Sequence, residues 1–77
     1  MVALTEAKLR ILRLLDESPS HGYALAQELG VQGPTVYQHL EELEDEGYIE
    51  GKEEDRRKVY SLTDKGELIM EADSMDD

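Results

Sequence analysis

From Leu4 onward, apolar residues return every three or four positions. Leu4, Ala7, Ile11, Leu14 and Leu15 fall within about 100° of a helical wheel. That spacing predicts an amphipathic helix from about Thr5 to Asp16, with the stripe in the core. Thr5 suits the N-cap, and Glu6 suits the positive end of the helix dipole. Leu9 and Leu12 lie off the stripe on a second face. Either a second partner, such as another subunit, covers them, or Leu9 is an ordinary exposed leucine.

Pro19 and Gly22 punctuate "DESPSHG" as a turn. Ser20 can cap a short helix from about His21 to Leu29, with Leu25, Ala26 and Leu29 on one face. Gly30 ends it. "VQGPT" is a tight turn in which Pro34 suits a first helical position. The next helix runs to about Glu46. Val36, Leu40 and Leu43 form its buried stripe, and Thr35, Gln38, Glu42 and Asp45 point the other way. After Gly47 the period changes. "YIEGKE" and "RKVYSL" read as two strands joined around Glu54, Asp55 and Arg56, since Val59 and Ser61 alternate with Tyr60 and Leu62. Thr63 caps a last helix, about Asp64 to Ala72, with Leu68, Ala72 and Met75 on its apolar edge. The tail "DSMDD" reads as frayed.

The expected fold is therefore mainly α with a small β-hairpin: a winged helix-turn-helix in one domain spanning residues 1–77. The helix-turn-helix covers about 21–46, the wing about 48–62 and the C-terminal helix about 64–72. A chain of this length buries only about 60% of its unfolded surface. It has no cysteine, so disulfides and cysteine-based metal sites are excluded. A second subunit is the remaining support, which predicts a homodimer through Leu9, Leu12, Leu68 and Met75. The N-terminal stretch has no apolar run of signal-peptide length, and nothing approaches the roughly 20 apolar residues of a membrane span. The expected location is cytoplasmic, with no membrane partner.

Charge changes this picture. The chain holds 19 acidic and 8 basic side chains, a net charge of −11. Residues 41–55 carry nine acids against Lys52 alone, whereas Arg56, Arg57 and Lys58 are consecutive. One positive island stands in an acidic field. The apolar periodicity excludes disorder, so the acidity reads as that of a halophilic protein. At about 1 M salt the Debye length is only about 3 Å, and crowded carboxylates repel weakly. The run Glu41 to Glu46 reads as a solvated face rather than a metal site. No Ser/Cys–His pair, phosphate loop or metal set is visible, so neither an enzyme nor a cofactor is expected.

A helix-turn-helix sets the start of its second helix against base edges in the major groove. Here that places Gln32, Pro34, Thr35, Gln38 and His39 as base contacts. Glutamine can bond bidentately to adenine, and threonine offers a hydroxyl and a methyl. A projecting wing meets phosphates, which assigns Lys52, Arg56, Arg57 and Lys58 to the DNA backbone together with the Tyr37 hydroxyl. Local ion pairing with Glu50, Glu53, Glu54 and Asp55 is the competing use of those cations. His21, at a helix start, is expected to cap or pack.

"SHGYALAQELG", "GPTVYQHLEELEDEGYIE" and "DRRKVYSLTDKG" together resemble the PadR-like winged-helix transcriptional regulators. The wing half is also similar to the MarR family. His21, Gly22 and Tyr23 match the start of the PadR-like second helix. Thr35 to Leu43 and Gly47 to Ile49 match its recognition helix and wing entry. Tyr60, Leu62, Thr63 and Gly66 match its closing strand and last helix. The resemblance implies a homodimeric repressor of double-stranded DNA with one recognition helix per half-site. The chain departs from the family at Glu41 and Glu42, where basic residues are usual. No small-molecule effector is evident. The alternative is an acidic winged-helix interaction module, or a mimic of DNA that binds another regulator.

Overall fold

The computed structural model describes residues 4–75, with side chains up to residue 72. The elements are α1 (Glu6–Glu17), β1 (Ser20–His21), α2 (Gly22–Leu29), α3 (Gly33–Asp45), β2 (Ile49–Glu54), β3 (Arg57–Leu62) and α4 (Asp64–Met75). The local signals explain most boundaries. Thr5 Oγ1 accepts from the Lys8 amide at 3.3 Å and opens α1. Thr63 Oγ1 accepts from the Gly66 amide at 3.2 Å and opens α4. Pro34 sits in the first turn of α3, where its missing N–H costs no hydrogen bond. α4 continues as a helix to Met75, past the expected end at Ala72.

The hairpin is part of a three-stranded antiparallel sheet in the order β1-β3-β2. β2 and β3 pair from Ile49 opposite Leu62 to Glu54 opposite Arg57. β1 adds two residues to the other edge of β3, Ser20 opposite Tyr60 and His21 opposite Val59. Two residues carry no alternation, so this strand has no signature in the sequence. It forms because the free edge of β3 presents unpaired backbone groups, and an incoming segment satisfies them.

The core gathers Ile11, Leu12 and Leu15 of α1, Leu25 and Ala26 of α2, and Val36, Leu40 and Leu43 of α3. Tyr48, Ile49, Tyr60 and Met70 close it from the sheet side and α4. The α3 stripe is as expected. The α1 stripe is turned on its axis: Leu12 is fully buried, while Leu4, Ala7, Leu14 and Leu9 are half-buried margins. α1 touches α2, α3, α4 and β3, so its second apolar face is covered within the same chain. This corrects the dimer assignment of Leu12, which has no surface left to offer a second subunit. Leu9 packs against the core from its margin. On α4, Met70 rather than Leu68 faces inward, and Leu68 stays 65% exposed. The side chain of Met75 lies outside the described residues.

Candidate nucleic-acid interface

The start of α2 and the first half of α3 approach each other closely. The Tyr37 ring lies over Gly22, and a Cβ at that position would stand 2.6 Å from the ring and 2.8 Å from the hydroxyl. The absence of a side chain at Gly22 is what lets the two helices of the unit meet here. Beside them His21 and Tyr23 stack, with ring centres 6.4 Å apart. The Tyr23 hydroxyl accepts from Gln27 Nε2 at 3.0 Å. Across from this aromatic wall stand Arg56, Arg57 and Lys58. The six residues His21, Tyr23, Tyr37, Arg56, Arg57 and Lys58 line one groove of about 350 Å³.

The wing tip is a two-residue turn. Asp55 and Arg56 both have positive φ, 49° and 67°. This is the left-handed conformation that joins tightly twisted strands and that asparagine and glycine adopt most readily. Among the described residues neither Arg56 nor Arg57 forms an ion pair, and both are exposed. Lys52 lies 3.9 Å from Glu50 on the same strand, both well exposed. Lys58 differs: its ammonium contacts Glu44 of α3 at 3.1 Å. The three consecutive cations therefore divide into two that face solvent and one that is held.

The acids of α3 divide similarly. Glu42 and Glu46 reach Lys8 of α1 at 3.1 Å and 3.6 Å. The hydrogen bond that Lys8 donates to Glu42 leads the effects that hold Lys8 above its ordinary pKa. Glu44 serves Lys58. Glu41 and Asp45 remain on the exposed face. Glu42 is thus turned toward α1.

The expected base readers separate as well. Gln32, Pro34, Thr35 and Gln38 are exposed at the start of α3. His39 is half-buried against α1. It lines a mainly apolar cleft of about 290 Å³ with Ala7, Leu29, Val31 and Thr35, with Glu6 and Arg10 also lining it. Its Nδ1 is buried without a hydrogen-bond partner and lies 3.9 Å from Glu42. Three features of this surface carry little or no signal in the sequence. Tyr23 belongs to the groove wall, Lys8 draws acids away from the exposed face, and Lys58 points to α3. The HGY run was a signal for Tyr23. The two lysine contacts join residues far apart in sequence and had none.

No helix among the described residues is long and apolar enough to cross a membrane. The PadR-like family of transcriptional regulators matches residues 11–72. An uncharacterized helix-turn-helix-type transcriptional regulator of Methanocaldococcus jannaschii is 42% identical over 43 residues, which is 56% of this chain and 45% of that protein. Among solved structures, the C30AH42A mutant of Lactococcus lactis ZitR superposes with a TM-score of 0.90 at 26% identity. That match covers 96% of this chain and 53% of the ZitR chain. The structure of hsRosR-S4 in a complex gives a TM-score of 0.90 at 30% identity over 94% of this chain and 69% of its own. The chain thus spans about half the length of the first two proteins.

Proposed function

We propose a mode of action that starts from the family: this chain belongs to the PadR-like family of transcriptional regulators, and its open groove is where duplex DNA binds. The family and the Methanocaldococcus relative are transcriptional regulators, not enzymes. The carrying observation is the pair of unpaired guanidiniums, Arg56 and Arg57, facing Tyr37 across the groove. Phosphates are the natural occupants of such a groove, because a guanidinium can hold two phosphate oxygens at once. Gln32, Pro34, Thr35 and Gln38 then face base edges, as the start of a recognition helix does. His39 is left out of this set because it packs against α1.

The regulator acts as a homodimeric repressor in a halophilic cell. Leu68, a large apolar side chain left 65% exposed on α4, supports a subunit contact there. Two recognition helices reading successive major grooves would stand about 34 Å apart. The halophilic source is supported by the net charge of −11 and by the absence of any buried acid among the described residues.

Fluorescence anisotropy across a salt series, on a duplex from upstream of its own gene, tests the reading. Binding should weaken as salt rises, with a log–log slope of about −0.9 per phosphate contacted. No binding at any salt, or binding untouched in the Arg56→Ala/Arg57→Ala double variant, would remove it. Exposed Glu41 and Asp45 favour a second reading, an acidic module that docks on another protein. A pull-down that recovers such a partner from a chain retaining no duplex would establish that reading instead.

A further inference from the structure

The wing beyond its base has little to hold it down. From Lys52 to Lys58 every residue is exposed, so no apolar side chain anchors that half of the hairpin to the core. Among the described residues, the contact that ties it to another element is the one from Lys58 to Glu44. The path of that side chain is specific. In the register, Gly51 stands opposite Tyr60 and Glu53 opposite Lys58, so Lys58 crosses diagonally over Gly51 on its way to α3. It lies flat there: a Cβ at position 51 would collide with Lys58 Cε and stand 3.1 Å and 3.2 Å from Cγ and Cδ. Its ammonium ends 5.4 Å from the centre of the Tyr60 ring and 3.1 Å from Glu44 Oε1.

We propose that Lys58 and Glu44, seated on Gly51, form a strut that sets the angle between the wing and the recognition helix, and that Glu44 is a positioning residue for duplex binding. The proposal rests on the DNA-binding reading given above. Arg56 and Arg57 reach phosphates only if the wing stands at the right distance from Tyr37. The strut sets that distance, and Lys58 is withdrawn from phosphate contact to make it.

The sign of one substitution separates this from simple electrostatics. Glu44→Gln removes a negative charge from a surface that meets a polyanion, which by charge alone tightens binding. The strut predicts the reverse. Glu44→Gln and Lys58→Gln should each weaken duplex binding by up to about fivefold, the upper range for an exposed ion pair. Both should keep the wild-type salt slope, because the bound wing makes the same phosphate contacts and only the cost of reaching its bound angle rises, and the double variant should be no weaker than either single one. Gly51→Ala should give the same loss with every charge intact, because the added methyl lifts the Lys58 stem.

Tighter or unchanged binding in Glu44→Gln overturns the proposal. So does a slope reduced by about 0.9 per subunit in Lys58→Gln, which would mark Lys58 as a phosphate ligand. Carbon-13 titration of Lys58 reads the strut without DNA. The Glu44 hydrogen bond holds this lysine above its ordinary 10.5, so Glu44→Gln should bring it back toward that value. No change there overturns the strut even if duplex binding holds. If the wild type bound no duplex, the function proposed above would fall and the positioning role with it, while the titration would still decide whether the strut exists.

Discussion

Arg56 combines two physical properties that one pair of substitutions can separate. It occupies left-handed backbone, at φ 67°, and it carries one of the two unpaired guanidiniums of the groove. Left-handed backbone costs a residue with a Cβ about 1–2 kcal/mol. Glycine removes that strain but costs about 0.5–1 kcal/mol through the freedom it adds to the unfolded chain. Arg56→Gly should therefore raise stability by about 0.75 kcal/mol at the middle of those ranges, and by about 1.5 kcal/mol at most. Arg56→Ala keeps the strain and gains nothing. The difference between the two variants, about 0.75 kcal/mol at mid-range, corresponds to a few degrees in Tm for a domain of this size. For DNA the two should be equal, because both lose the same cation. One lost phosphate contact in each subunit lowers the salt slope by about 0.9 per subunit, so the affinity gap from wild type changes by about 3.5-fold per subunit over a fourfold change in salt. Urea or thermal unfolding reads the first quantity, and anisotropy in a salt series the second. Equal stability of the two variants would refute the strained turn. An unchanged slope in both would refute the phosphate contact.

Leu12→Ala should cost about 2–5 kcal/mol in urea unfolding, independent of protein concentration, because the side chain is fully buried within one chain; a loss confined to dimer dissociation would restore Leu12 to a subunit interface. Gly22→Ala should displace Tyr37, whose ring would stand 2.6 Å from the new methyl, and weaken duplex binding while leaving both arginines in place; anisotropy with an unchanged affinity would show that Tyr37 does not shape the groove. Lys8 is held above 10.5, foremost by the Glu42 hydrogen bond, and burial pushes Tyr60 above 10.0. Both groups keep their proton to higher pH in the folded state than in the unfolded one. Their contribution is therefore full below pH 10.0 and is lost as pH rises through the folded values. Urea midpoints should be flat to about pH 9 and fall beyond, less steeply in Lys8→Gln and in Tyr60→Phe.

Local chemistry determined the elements of this protein. A period of 3.6 residues marks α1 and α3, an alternating run marks β3, and Thr5, Pro34 and Thr63 mark helix starts because capping acts within three residues of the cap. The cationic wing beside an acid-poor helix start is legible for the same reason, since both are short runs. The tertiary structure decided what depends on partners distant in the chain. β1 exists because β3 has a free edge, not because Ser20 and His21 prefer a strand. The turn of α1 about its axis, which buries Leu12, follows from its being surrounded by α2, α3, α4 and β3. A wheel shows which residues share a face but not how many neighbours will cover it. The use of each charge was settled in the same way. Arg57 and Lys58 are adjacent in sequence, yet one faces the groove's solvent and the other crosses Gly51 to Glu44. Long cationic side chains reach whatever carboxylate the fold brings within range, and only the packing of α3 against the sheet determines which one that is.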